Sequence, residues 1–223
     1  MTYALTRSKR KTCAIYIRGG AVEVRAPLRL PSAEIERFVA SKAGWIAKKL
    51  EESAAAEAKR AAFSPGYGDT VRYRGGEYVI ASRPGNRAGV DGAGFFMPPG
   101  LTPEQIKRAC VGIYRRQAKT ALDEKVRSLA ASMGVSPNSV RITGAKTRWG
   151  SCSAKKNINF SWHLMMAADP VTDYVVVHEL AHLKEMNHSA RFWAEVERVL
   201  PDYRERKKEL KKLQEKLREE DWE

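Results

Sequence analysis

Cysteine is scarce in this 223-residue chain: Cys13, Cys110 and Cys152 are odd in number and far apart. That excludes a disulfide framework and a CxxC metal knuckle. No run of 18 uncharged apolar residues occurs, which excludes a membrane span and a membrane partner. The first residues, Met1 to Thr6, hold no apolar signal core, so a reducing cytoplasm is the expected compartment. Acidic residues are also in short supply, 26 against 40 Lys and Arg. Histidine is scarcer still, with four in the chain.

Hydrophobic residues make up 43% of the sequence, enough to bury a core in one large domain or two small ones. The net charge of +14 is unevenly placed. Residues 1–30 carry seven basic residues against one acidic, and 101–156 carry twelve against three. Residues 157–200 reverse the sign, with three against six. The basic segments are expected to attract polyanions or acidic substrates. There is no P-loop and no DNA-reading motif to make that attraction specific.

Turn chemistry divides the chain. Residues 13–17 and 21–25 are β-prone and joined by Arg18-Gly19-Gly20, a hairpin signal, and 70–74 and 77–81 repeat it across Gly75-Gly76. Between them, apolar residues from Ile35 to Leu50 recur every three to four positions, a helix that fades before Ser64-Pro65-Gly66. Residues 83–101 are rich in Gly and Pro and read as a loop or linker. Thr102-Pro103 opens a helix expected to end at Gly134. Strands are expected at 139–145 and 157–164, then helices from Asp169-Pro170, over 190–200, and from Pro201-Asp202. The mixed charges of the last suggest a solvated helix with few buried contacts.

Three of the four histidines fall within eleven residues, in the run VHELAHLKEMNH from Val177 to His188. His178 and His182 stand at i and i+4, one turn apart on one helix face, so both imidazoles can address one ion. Glu179 lies roughly 100° around the helix, beside the metal rather than on it. A carboxylate there can take a proton from metal-bound water and pass it to a leaving group. His188 joins only if the helix ends near residues 184–186, because six more helical residues would carry it about 9 Å away. Asn187 tolerates a left-handed turn of that kind. Glu185, Glu195 and Glu197 remain alternative third ligands. Leu164, Val176, Val177, Leu180 and Leu183 read as the core that holds the motif helix.

Residues 143–193, TGAKTRWGSCSAKKNINFSWHLMMAADPVTDYVVVHELAHLKEMNHSARFW, resemble the YgjP-type family of predicted zinc-dependent metallopeptidases. SprT-like and WLM-type domains are more distant likenesses. The run Arg148-Trp149-Gly150-Ser151-Cys152 and the sequence from His188 to Phe192-Trp193 carry the resemblance most specifically. It implies one Zn2+ per chain held by His178, His182 and His188, with Glu179 as catalytic acid/base. It also implies an α+β, zincin-like fold with a strand beside the motif helix that aligns substrate. The metzincin pattern HExxHxxGxxH shares the histidine spacing, but Glu185 replaces its glycine and no methionine follows Met186.

On this reading residues 1–82 form an N-terminal hairpin and helix region, and 102–223 a zincin-like metal-dependent hydrolase domain with a charged C-terminal helix. Arg148 and Trp149 are candidate groove residues, Tyr174 a candidate oxyanion donor, and Asn157 and Asn159 candidate contacts to substrate backbone. Cys152 has no histidine neighbour in sequence that would make it a nucleophile. The expected activity is hydrolysis of peptide or protein by metal-activated water. A nucleotide phosphohydrolase and a nucleic-acid-associated protein are the rivals, motivated by the basic segments.

Overall fold

The computed structural model describes residues 2–222. The fold is α+β, with small mixed sheets and six α-helices among the described residues. Two compact units form: residues 2–63 with 218–221, and residues 64–217 with 222.

The first unit holds β1 (Ala4–Ser8), β2 (Ala14–Arg18) and β3 (Ala21–Pro27) in the order β1-β3-β2. Gly19 and Gly20 close the β2–β3 hairpin with φ of 53° and 71°, left-handed values that glycine reaches without strain. Strand β1 runs parallel to β3 and was not anticipated, because it lacks an alternating apolar pattern. Arg7 lies in it and donates to the Pro27, Leu28 and Leu30 carbonyls, so this cation of the basic arm serves its own unit. The single helix expected after Pro31 is two, α1 (Ser32–Ser41) and α2 (Ala43–Ala62), broken at Lys42. Val22, Val24 and Ala26 alternate along β3 and pack with Ile35, Val39 and Ile46.

The second unit begins with β4 (Thr70–Tyr73), β5 (Gly76–Ser82), β6 (Gly89–Asp91) and β7 (Gly94–Met97), ordered β4-β5-β7-β6. The stretch read as a loop or linker therefore supplies two strands. Its glycines start or flank them, while Phe95 and Met97 are fully buried and fix the pairing. Helix α3 (Pro103–Met133) follows the sequence reading closely. Thr102 and Gln105 form a reciprocal capping box, and Gly134 ends the helix in a left-handed conformation.

A second mixed sheet comprises β8 (Ser139–Thr143), β9 (Gly150–Cys152) and β10 (Asn157–Ser161), with β10 in the middle. A 3-10 turn (Trp162–Met166) leads into α4 (Asp169–Ala181), then α5 (Ala190–Val199) and α6 (Tyr203–Leu217). Helix α4 is buried almost all round, through Val171, Val175, Val176, Val177 and Leu180 among others. Part of the basic charge of α3 is neutralised against it. Lys125 meets Asp173 at 2.6 Å and Asp169 at 3.4 Å, and Arg74 meets Asp169 at 2.6 Å.

Helix α6 departs from its expected solvated character. It buries Tyr203 and Leu210, and Tyr203 stacks on Tyr174 of α4 and Trp193 of α5. The apolar positions were too few to show against the surrounding charges.

Candidate metal centre

Helix α4 ends at Ala181, three residues sooner than the spacing suggested, with His182 as its cap. The N–H groups of Leu183 and Lys184 donate to the carbonyls of Leu180 and Ala181, each at 3.0 Å, and tighten the chain into a turn. Leu183, expected in the core, is only half-buried because it lies past the helix end. Asn187 is not left-handed; its Oδ1 instead accepts from the Ser189 N–H at 3.1 Å. Ser189 in turn caps α5 through the Phe192 N–H. The connection thus reverses by hydrogen bonding rather than by a strained residue.

That reversal brings His188 back to the helix. One ring nitrogen from each of His178, His182 and His188 lies within 4.8 Å of the others, the one such histidine group among the described residues. The Nε2 atoms of His178 and His188 are 3.1 Å apart. Two imidazoles facing each other nitrogen to nitrogen need a shared proton or a shared cation. Burial, with the charges of His182, His188 and Lys207, pushes His178 down to about 3, so it stays neutral with a free lone pair. The Glu185 carbonyl stands 3.1 Å from His182 Nδ1 and can accept its proton, leaving Nε2 as the ligand atom. Glu185 therefore supports the centre through its backbone. Glu195 pairs with Lys184 and Arg198, and Glu197 with Arg204, so neither enters. The donor set fits a divalent ion.

Glu179 is 5% exposed, and its Oε2 has no hydrogen-bond partner in the protein. Burial alone raises its carboxyl to about 8. The strand β9 makes this possible. A Cβ on Gly150 would sit 2.6 Å from Glu179 Cγ and Oε1, so only glycine leaves the carboxyl its place. We expect Gly150→Ala to force Glu179 aside. Overpacking of this kind costs about 1–3 kcal/mol, read as a lowered Tm together with reduced turnover.

The two pKa shifts oppose each other in metal-free protein. Glu179 keeps its proton when folded over a range where the unfolded chain has lost it. Its contribution to stability is full below about 4.5 and is lost as pH rises through about 8. His178 behaves inversely, contributing fully above about 6.5 and losing that contribution as pH falls toward about 3. Urea unfolding in chelator should therefore show Glu179→Gln abolishing the alkaline decline while leaving the acid one.

The remaining candidates are dispersed. Tyr174 is buried with its ring 6.0 Å from His178, and burial raises its hydroxyl to about 12. Trp149 is half-buried and shares a cavity with Tyr174, while Arg148 is exposed. Asn157 Oδ1 accepts from Ser139 Oγ at 2.9 Å, and Asn159 Nδ2 donates to Ser151 Oγ at 3.3 Å. Both stand on β10, which is paired on each side. The Cys152 thiol is pushed up by burial and by the charge of Glu179. Trp193, named from sequence only as part of the family resemblance, stands 5.9 Å from the His178 ring, and Tyr203 and Lys207, which were not singled out from sequence, pack on it. The spacing of Tyr203, Lys207, Leu210 and Gln214 along one helix face was the available signal.

A local α+β scaffold, a cluster of three imidazoles and an adjoining buried carboxyl define a metal-centre protein of metallopeptidase type. The chain belongs to the YgjP-like, metallopeptidase domain family, whose model matches residues 11–213. A curated relative, the UTP pyrophosphatase of Escherichia coli (strain K12), is 32% identical over 85 residues, 38% of this chain and 48% of that protein. The chain thus spans about half the length of the curated relative it matches. Two solved structures are also similar. The metallopeptidase zymogen of Pyrococcus abyssi abylysin is 28% identical with a TM-score of 0.39, covering 44% of this chain and 97% of that one. The metallopeptidase zymogen of Methanocaldococcus jannaschii jannalysin is 22% identical with a TM-score of 0.34, covering 43% and 92%.

Proposed function

We propose that the protein is a zinc-dependent hydrolase that cleaves peptide bonds. The observation that carries this reading is the convergence of His178, His182 and His188 beside a buried carboxyl with a free oxygen. Those three histidines would hold the ion. When bound, zinc supplies Lewis acidity and lowers the pKa of water toward about 7. The protein supplies the rest. The turn after α4 fixes His182 through the Glu185 carbonyl, and burial keeps His178 in its ligating, neutral form. Glu179 would accept a proton from the attacking water at its free oxygen and return it to the leaving amine, from a buried seat kept open by Gly150. Tyr174 keeps its hydroxyl proton at neutral pH and can donate to a developing oxyanion, as can the exposed Arg148.

A second reading, hydrolysis of nucleotide phosphoanhydrides, is favoured by the activity named for the Escherichia coli relative. The two are separated by incubating zinc-loaded protein with casein and, in parallel, with nucleoside triphosphates. Release of peptides supports the first reading; release of pyrophosphate with casein intact replaces it by the second.

A further inference from the structure

A cavity of about 640 Å³ is lined in part by Tyr174 and Trp193, whose rings stand 6.0 and 5.9 Å from that of His178. Its floor is aromatic, from Trp149, Tyr174, Trp193 and Tyr203, and α6 adds Arg204, Lys207, Lys208 and Lys211. No acidic side chain lines it. Four cations on low-dielectric walls concentrate a positive potential inside.

The local pairing leaves much of that charge uncompensated. Arg204 meets Glu197 at 2.6 Å, and Lys211 reaches Glu215 only at 4.0 Å. Among the described residues, no carboxylate lies within ion-pair distance of Lys207 or Lys208. Lys207 Nζ is held 4.8 Å above the Trp193 ring, which itself stacks 5.7 Å from His188. An anion seated on Lys207 is therefore separated from the His188 ring by the Trp193 indole. The exposed lysines 212 and 216, on the same helix, do not line the cavity.

We infer that this cavity selects the substrate by negative charge, Lys207 and Lys208 holding a multiply anionic group beside the bond to be cut. The inference rests on the hydrolase reading for its role, but the binding stands without it. Carboxylates of an acidic peptide and phosphates of a nucleotide offer the same chemistry. Trp149 and Trp193 give both a fluorescent reporter.

The test titrates zinc-loaded protein with a tetraglutamate peptide and, separately, with UTP, following tryptophan fluorescence at about 50 and 200 mM salt. Lys207→Glu/Lys208→Glu is compared with Lys212→Glu/Lys216→Glu, an equal charge change away from the cavity. At least one of the two anions should bind, more weakly at the higher salt, and identify the source. The cavity variant should weaken that binding more than tenfold and the control less than twofold. With a hydrolysed anionic substrate, the cavity variant should raise KM with a smaller change in kcat. Failure of both anions to bind, or equal loss in the two variants, overturns the inference. Binding without hydrolysis of either anion leaves it standing and counts instead against the hydrolase reading.

Discussion

Glu179→Gln should lose hydrolysis by about 10²–10⁴-fold, the span expected for removing a positioned acid/base, while holding as much zinc as the parent. The amide keeps the size and burial of the carboxyl but cannot take up the proton that Oε2 is placed to receive. Glu179 belongs to none of the close nitrogen contacts among the histidines, so the metal stoichiometry should stay near one per chain. Turnover and metal content measured on one preparation decide the matter. A Glu179→Gln protein as active as the parent would show that proton transfer runs through another group. A variant that loses its zinc would make Glu179 a ligand instead.

His188→Ala should release the metal. The residue stands outside the motif helix on an exposed turn, yet its Nε2 approaches that of His178 to 3.1 Å. Loss of an outer hydrogen-bond partner costs about 10–100-fold in metal affinity, and loss of a direct ligand should cost more. Competition with a chromophoric chelator measures this. The alanine variant should keep its melting temperature in the metal-free state, since an exposed side chain contributes little packing. Unchanged zinc affinity would leave His188 a surface residue and return the third position to another donor.

The sequence reading succeeds where the signal is local. The N-cap at Thr102, the helix end at Gly134 and the Gly19-Gly20 turn are read residue by residue and stand where expected, whereas the second hairpin turns at Arg74-Gly75, one residue before the expected Gly75-Gly76. The histidine spacing belongs to the same class, since i and i+4 on a helix fix one face. Features that depend on partners far along the chain were hidden. Strand β1 exists through parallel pairing with β3, and β6 and β7 through the burial of Phe95 and Met97. The intimacy of Gly150 with Glu179 joins positions 29 residues apart and leaves no periodic trace. The cationic cavity is hidden in the sequence because the charges of α6 outnumber the apolar positions through which Tyr203 meets Tyr174 and Trp193.

The three imidazoles and the carboxyl all come from residues 178–188, whereas the glycine that accommodates the carboxyl arrives on β9, within a sheet closed by more distant strands. Short loops close far faster than long-range strands pair. The histidine cluster is thus a local product of one helix and the turn that follows it, while the seat of the carboxyl depends on pairing elsewhere in the chain. A substitution within the β8–β10 sheet should therefore displace the carboxyl while leaving the three imidazoles in place.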